Sequence, residues 1–539
     1  MSTTMEFGSE ARARLISGVE KLAAAVKVTL GPMGKTVAIS RDGEVPHLTK
    51  DGVTVASAIF LGDKYENIGA SLVREAAQRS AAVAGDGTTT STVLAHEIIK
   101  NGEKMISAGH NVVDVVAGMR AAAEKVIGVL SESRVEIDSD TLVDVATISA
   151  NGDRELGEII SSAINRVGPD GAVSVQDAKG YDTTLTVVDG TYIDRGYESP
   201  YFVTDTAKQV AELDSPEVLI INDELSAVAP LVPVLEHIAA SGGSLLIVCN
   251  AVGGEALQAL VLNRVKAGLK VCVIKSPEFA GARVTALQDL ACLVGAQVLT
   301  NAREPVKRED LGSILGKVKK ATVTNKTTLL FGTKQSEDAK ERLQSARDVL
   351  DDPAASIDDK KIAERRMKRL SDGIAVIQVG GATEGEMIER RDRVDDALAA
   401  CRAALKEGVQ PGGGVALARA KKAVRRSFLS RKYETYGVGA LAFLDALDAP
   451  LSQIAENCGV SPDLVVQKVS RISADHGYDG KNDKYGNMFE LGILDPHAVV
   501  VSAVEHSLSV SCNLLSIGCI IAEEDGNGVA SDIAYFDDV

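Results

Sequence analysis

Ala84-Gly85-Asp86-Gly87-Thr88-Thr89-Thr90 is the stretch on which the reading of this 539-residue chain turns. Gly85 and Gly87 lack Cβ, so the backbone can turn sharply and bring its N–H groups close to a ligand. Asp86 is a hard oxygen donor of the kind Mg2+ accepts while keeping most of its waters. Thr88, Thr89 and Thr90 add hydroxyls where the next helix is expected to begin, and a helix N-terminus favours anions. A carboxylate for metal beside a backbone nest for phosphate describes a Mg-nucleotide corner. A plain Gly-Asp-Gly turn capped by threonine accounts for the same residues, so the motif needs company.

Outward from this stretch the texture is helical. Tyr65, Ile68, Leu72, Val73, Ala76 and Ala77 recur at helical spacing before it, and Val93, Leu94, Ile98 and Ile99 after it. The corner is therefore expected in a tight helix-to-helix turn, within a mostly helical region over 8–133. From about 215 to 300 the pattern changes. Val218–Ile221, Leu245–Cys249, Val271–Ile274 and Gln297–Leu299 are short apolar runs between helical stretches, which predicts βαβ units and a parallel sheet. Residues 336–372, dense in charge and broken at Asp351-Asp352-Pro353, predict an exposed helical hairpin. Ala-rich helical texture returns after 408, so the two outer parts are expected to pack as one domain around an inserted centre.

A chain of this length should divide into about three domains. With 45% hydrophobic and 25% charged residues it has globular composition, and with 4% aromatics and no Trp its core must be mainly Ala, Val, Leu and Ile. The net charge of −17 argues against nucleic acid as the main partner. Seven scattered cysteines, none in a C-x-x-C pair, argue against a disulfide framework. Neither a signal peptide nor a run of membrane-spanning length is read, so a soluble protein of a reducing, cytoplasmic compartment is expected.

Other segments offer chemistry. Gly31-Pro32-Met33-Gly34-Lys35-Thr36 imitates a P-loop but has two residues between its glycines where four are needed. Thr29-Leu30-Gly31-Pro32 instead closes an apolar helix and leaves backbone groups exposed. Lys50-Asp51-Gly52 adds a cation and a second carboxylate, and phosphoryl transfer needs little beyond metal, positive charge and a positioned water. Asp396 is a candidate to position that water. It lies roughly 200° around its helix from the apolar Val394, and a solvated carboxylate beside Asp395 is the plain alternative. Gly412-Gly413-Gly414 offers close approach, and Asp495 is expected in a loop, free to hold a ribose hydroxyl or to cap a helix. In the centre, Leu231, Val232, Val234, Leu235 and Ile238, then Leu257, Leu260, Val261, Leu262 and Val265, exceed what one buried helix face needs. The surplus describes either an adhesive groove or two deeply buried helices.

Together these segments resemble the group I chaperonins, the GroEL family. Seven stretches carry the resemblance in order and spacing: Val28–Gly34, Lys50–Val55, Ala84–Thr90, Arg393–Leu398, Gly412–Leu417, Tyr485–Met488 and Gly492–Pro496. The resemblance implies a multidomain α and α/β fold. A mainly helical equatorial ATP-binding domain comes from 1–134 and 408–539, a small α/β intermediate domain from 135–189 and 374–407, and an inserted α/β apical domain from 190–373. It implies ATP and Mg2+ as cofactors, with K+ a further candidate. Asp86 would ligate the metal, Gly87 and Thr88–Thr90 would hold phosphates, and Thr29, Leu30, Gly31 and Pro32 would line the nucleotide. Lys50 and Asp51 would sit near the γ-phosphate and Asp396 would orient the attacking water. Gly413, Asp479 and Asp495 would meet base and ribose.

The implied polypeptide groove uses Tyr197, Tyr201, Phe202, Val232, Leu235, Leu257, Val261 and Leu262. Non-native polypeptide clients, a ring of seven subunits and a GroES-like co-chaperonin are the implied partners, with nucleic acid and membrane excluded. Gly190 and Gly373 match hinge positions, and Arg195 with Glu384 resembles an inter-subunit ion pair. The chain departs from the pattern at Ser452 and Ser461, where relatives often carry Arg and Glu between stacked rings, so single and double rings both stay open. Asp479 replaces a commoner Asn, Pro411 stiffens a turn, and an acidic Asp532–Val539 end replaces Gly-Gly-Met repeats. A small-molecule kinase or ATPase, or a passive holdase ring with weak ATPase, are the competing functions.

Overall fold

The structure, a computed structural model, describes residues 3–40, 46–168, 171–178, 180–206, 209–278, 280–333, 336–352, 355–370, 373–429, 436–473 and 475–523. The acidic end at Asp532–Val539 lies outside them. The fold is multidomain, α and α/β. The chain forms two compact units: Met1–Ser161, Lys179–Asp182 and Val379–Val539 make the first, Ser162–Ala178 and Thr183–Gln378 the second.

The first unit is a stack of long helices drawn from both ends of the chain. Leu15, Val19, Leu22 and Val26 recur along one face of helix Gly8–Val26, and that face is buried. They share a core with Val73 of helix Lys64–Ala84, Ile99 of helix Thr88–Ser107 and Leu514 of helix His497–Leu515. With few aromatics to fill space, these helices approach closely. A Cβ on Gly18 would lie 1.8 Å from the Glu66 carbonyl oxygen, and one on Gly69 would lie 2.1 Å from that of Leu15. Strand Thr3–Phe7 pairs antiparallel with Cys519–Glu523, Met5 opposite Ile521. Alternation turns Ile520 and Ala522 inward and leaves Met5, Phe7 and Ile521 in solvent.

Two features differ from the sequence reading. The region expected to be helical over 8–133 contains a hairpin, Val37–Ile39 with His47–Thr49, too short to give a periodic signal. Two stretches, Gly437–Asn457 and His497–Leu515, do reach the length and apolarity of a membrane span. Both windows are 61% buried within the protein, so these stretches serve as core of the first unit.

The second unit holds the expected parallel sheet. Strands Lys270–Lys275, Ser244–Val252, Glu217–Leu225 and Val298–Leu299 lie side by side in that order, with Gly316–Lys317 added antiparallel to Glu217–Leu225. Helices Val232–Ser241 and Gly254–Ala267 form successive crossovers in one direction, and right-handed crossovers place both on the same sheet face. The charged hairpin is present as helices Glu337–Asp351 and Ile357–Leu370. It is tied down by a buried charge. Asp289, fully excluded from solvent, accepts two hydrogen bonds from Arg366 and one from Arg342. Gly373, one of the two expected hinge glycines, has φ +106°, whereas Gly190 is a buried strand residue whose Cβ would meet Ile374.

Candidate functional site

Helix Lys64–Ala84 ends at Gly85 in the left-handed region, φ +81°, and Gly87 follows at φ +97°. Two residues at positive φ reverse the chain in three residues, which only glycine does without strain. Helix Thr88–Ser107 then begins with no side chain capping it, so its first N–H groups face the turn unpaired by a cap. The Thr88 side-chain oxygen is also buried without a partner among the described residues. This end of the helix is built to receive an acceptor-rich group.

The turn forms one wall of a cavity of about 550 Å3 lying wholly within the first unit. Every expected nucleotide-site residue lines it: Thr29, Leu30, Gly31, Pro32, Lys50, Asp51, Asp86, Gly87, Thr88, Thr89, Thr90, Asp396, Gly413, Asp479 and Asp495. Asn457 donates its amide to the Lys27 and Leu30 carbonyls at 3.0 and 2.8 Å and fixes the Thr29–Pro32 segment. Asp51 caps helix Gly52–Ser57, accepting from Val53 N and Thr54 N at 3.0 and 2.6 Å, which orients its carboxylate. Gly413 has φ +64° in the loop between strand Val409–Pro411 and helix Val415–Arg425.

Asp495, expected in a loop, lies instead in the three-residue strand Leu494–Pro496, opposite Gln410. Two following prolyl and helical residues masked that strand, since Pro496 reads as a breaker and His497 already starts a helix. Asp479 spends its oxygens on its own hairpin turn. They accept from Lys481 N at 3.0 Å, Asn482 N at 3.2 Å and Asn482 Nδ2 at 2.7 Å.

The carboxylates repel one another. Burial raises Asp86, with Asp51 adding to the effect, while the Gly87 N–H and Ser149 oppose it. Burial also lifts Asp396 to about 8, helped by Asp86, Asp51, Asp392 and Asp395. Asp495 rises to about 7 through burial and the Asp86 charge, against a hydrogen bond from Gly413. Asp396 is half-buried and lines the cavity, on the side of its helix away from buried Val394, whereas its neighbour Asp395 is exposed.

Among the described residues no group of three or more acidic, histidine or cysteine side chains is placed to enclose a metal ion. The protein thus offers a divalent cation single carboxylates such as Asp86, a set that suits an ion keeping most of its own waters.

Sequence reasoning did not single out Asp144, Asn151, Arg154, Asp392 and Lys481, which also line the cavity. Two had a signal. Asp392 lies four residues before Asp396 on the same helix face, and Asn151-Gly152 is a turn dipeptide, Asn151 standing at φ +57°.

The groove residues divide. Tyr201, Val232 and Leu262 are exposed, 69%, 42% and 52% respectively, and Val265 joins them at 64%. Tyr197, Leu235, Leu257 and Val261 are half-buried against the core of the second unit. Phe202 does not belong to the surface. It is wholly buried, because the short 3-10 turn Pro200–Phe202 sets adjacent side chains about 120° apart and Phe202 takes the inward direction.

A model of the TCP-1/cpn60 chaperonin family matches residues 22–525. The chain belongs to the TCP-1/cpn60 chaperonin family. It is an ATP-dependent folding chaperonin and an ATPase, with an oligomeric ring and polypeptide clients, and the small-molecule kinase reading falls away. In fold it is similar to chaperonin gp146 from the bacteriophage EL 2 (Pseudomonas aeruginosa), solved in the presence of ATP-BeFx. One crystal form gives a TM-score of 0.72 at 22% identity over 97% of this chain and 99% of that one. A second form gives 0.67 at 21% over the same shares, 97% and 99%.

Proposed function

We propose that the cavity binds ATP with Mg2+ and that hydrolysis there drives the capture and release of non-native polypeptide by the second unit. The observation that carries this reading is the meeting of Asp86 and Asp396 in one cavity, from segments far apart in the chain. Asp86 would hold the metal, and the uncapped N-terminus of helix Thr88–Ser107 with its threonines would hold phosphate oxygens. Bound Mg2+ supplies charge neutralisation at the phosphates, with K+ a further candidate cation. Lys50 adds a cation beside the γ-phosphate position. Asp396 orients the attacking water and accepts its proton, a role for which a carboxylate raised toward neutrality is suited. Gly413 leaves room for the nucleoside, and Asp495 accepts from its sugar.

The assignment of 1–134 with 408–539 as equatorial, 135–189 with 374–407 as intermediate and 190–373 as apical domain is part of the same proposal. So is a ring of seven subunits in the cytoplasm, working with a GroES-like co-chaperonin. Exposed Met5, Phe7 and Ile521 support a subunit interface on the first unit, and Arg195 with Glu384 would couple neighbours. Tyr201, Val232, Leu262 and Val265 support a client surface that binds by apolar contact, repeated around the ring.

Replacing Asp396 with Ala tests the site. The expected result is retained ATP binding with turnover lowered on the order of 100-fold, the usual loss for a positioned base. Equal turnover would overturn the assignment, and negligible turnover in the wild type would favour the passive ring.

A further inference from the structure

Asp495 reaches the cavity from strand Leu494–Pro496, whose ladder with Val409–Pro411 is only three residue pairs long. A backbone bond closes each end, from Gly412 N to the Ile493 carbonyl and from His497 N to that of Gly408, both 2.9 Å. The carboxylate has little room: a Cβ on Gly412 would stand 2.9 Å from Asp495 Oδ1. Gln410, directly opposite Asp495 in the ladder, is wholly buried, and His497 just beyond the strand is only 4% exposed. Two buried polar side chains beside so short a ladder need partners, and they find them in each other. Gln410 Nε2 donates to the Leu130 carbonyl and lies 3.0 Å from His497 Nδ1. A carbonyl only accepts, so the Gln410 amide nitrogen must face it, and its second hydrogen is left for His497 Nδ1. That ring nitrogen therefore accepts, which makes His497 the neutral Nε2–H tautomer. Burial agrees, lowering the His497 pKa; Glu407 opposes it and Arg134 reinforces it. Gln410 Oε1 has no partner among the described residues, so the donor side of the amide makes both bonds. Leu130 belongs to helix Val112–Glu132, which adds nothing to the cavity lining among the described residues and is packed in the core through Val126 and Leu130.

We propose that Gln410 and His497 are positioning residues for the cavity: their hydrogen bond ties the Asp495 strand to helix Val112–Glu132 and sets the carboxylate to meet the sugar of a bound nucleotide. The chain of contact runs from Leu130 through Gln410 to His497, two residues beyond Asp495. Losing the link leaves the three-pair ladder to hold the carboxylate alone, and a hydrogen bond to the sugar tolerates little displacement. The proposal rests on the reading that the cavity takes a nucleotide with Asp495 at its sugar. It adds two residues that touch no ligand yet decide how well that sugar is told from one lacking its hydroxyls.

Calorimetric binding of ADP and of 2′,3′-dideoxy-ADP to the full-length protein with Mg2+ tests this. The wild type should prefer ADP by roughly tenfold, the scale of a hydrogen bond to a charged group. His497→Leu should cut that preference to about twofold, because the carboxylate is no longer held in register. Binding of dideoxy-ADP, which has no hydroxyl for Asp495, should stay within about twofold of wild type. His497→Asn, whose side-chain oxygen can accept in place of Nδ1, should retain most of the preference. Should His497→Leu fail to fold, the double variant Gln410→Leu with His497→Leu leaves neither polar group buried and should show the same loss. A preference kept in the leucine variants, or both nucleotides weakened alike, overturns the proposal. Asp495→Ala measured in parallel separates the two readings. If it abolishes the preference while His497→Leu does not, the positioning role falls and the sugar contact stands. If Asp495→Ala leaves the preference intact, or the wild type shows none, the sugar contact falls and the proposal with it.

Discussion

Gly85 is seated against Ala399: a Cβ on Gly85 would stand 2.3 Å from the Ala399 Cβ. The Gly85–Gly87 turn and the helix that carries Asp396 therefore touch where both are smallest. That close approach lets Asp86 and Asp396 line one cavity.

Replacing Gly85 with Ala should impose two costs. The residue sits at φ +81°, which costs a side chain about 1–2 kcal/mol, and its methyl would drive Ala399 away. ATP turnover should fall more than ATP affinity, because the nucleotide wall stays while Asp396 recedes. Steady-state kinetics would show this as a loss in kcat with KM little changed; the reverse pattern would contradict the seat.

The pH dependence of stability follows from the raised carboxyls. Asp396 and Asp495 have folded pKa values of about 8 and about 7, both above the ordinary carboxylate range. The folded protein thus binds these protons more tightly than the unfolded chain, and its stability falls as pH rises from about 4 toward 8. Thermal melts of metal-free protein across this window should show Tm decreasing with pH. Asp396→Asn should flatten the trend, and an unchanged slope would exclude Asp396 as a source.

Tyr201, Val232 and Leu262 present apolar surface, so Leu262→Glu should abolish capture of a denatured client while leaving ATP turnover intact. Phe202→Ala should act differently, removing a core ring at a cost of about 3–5 kcal/mol. Light scattering of an aggregating client together with a urea melt distinguishes loss of binding from loss of fold. Capture unaffected by Leu262→Glu would remove that residue from the client surface.

Asp289→Ala should leave Arg342 and Arg366 without their shared carboxylate in the second unit. Breaking a buried ion pair from one side costs about 3–5 kcal/mol. Chemical denaturation followed by probes in each unit should place the loss in the second one. Isosteric Asp289→Asn should be milder, since it retains one acceptor oxygen.

Much of this was legible because period and punctuation agree in the sequence. The helices flanking Gly85–Gly87 and the strands Glu217–Leu225, Ser244–Val252 and Lys270–Lys275 carry uninterrupted patterns, and they form where expected. Short elements were not legible, because three-residue strands such as Val37–Ile39 and Leu494–Pro496 derive from pairing partners rather than from their own pattern. Side-chain direction within a single turn was also hidden. Tyr201 and Phe202 are chemically alike and adjacent, and only the packing of the core separates exposed from buried. At the site, motifs marked Asp86 and Asp396, while Asp392 emerges only once the helix is laid against strand His47–Thr49.

The ladder between Thr3–Phe7 and Cys519–Glu523 bears on how the molecule is made. A ribosome releases the first strand long before its partner, so the first unit cannot close its sheet until the chain has grown past Glu523. The second unit, all of it within 162–378, has its sequence complete far earlier. Nascent chains should therefore carry a finished second unit while their N-terminal helices still wait with apolar faces uncovered. A protein that shelters unfinished chains passes through that same exposed condition during its own birth.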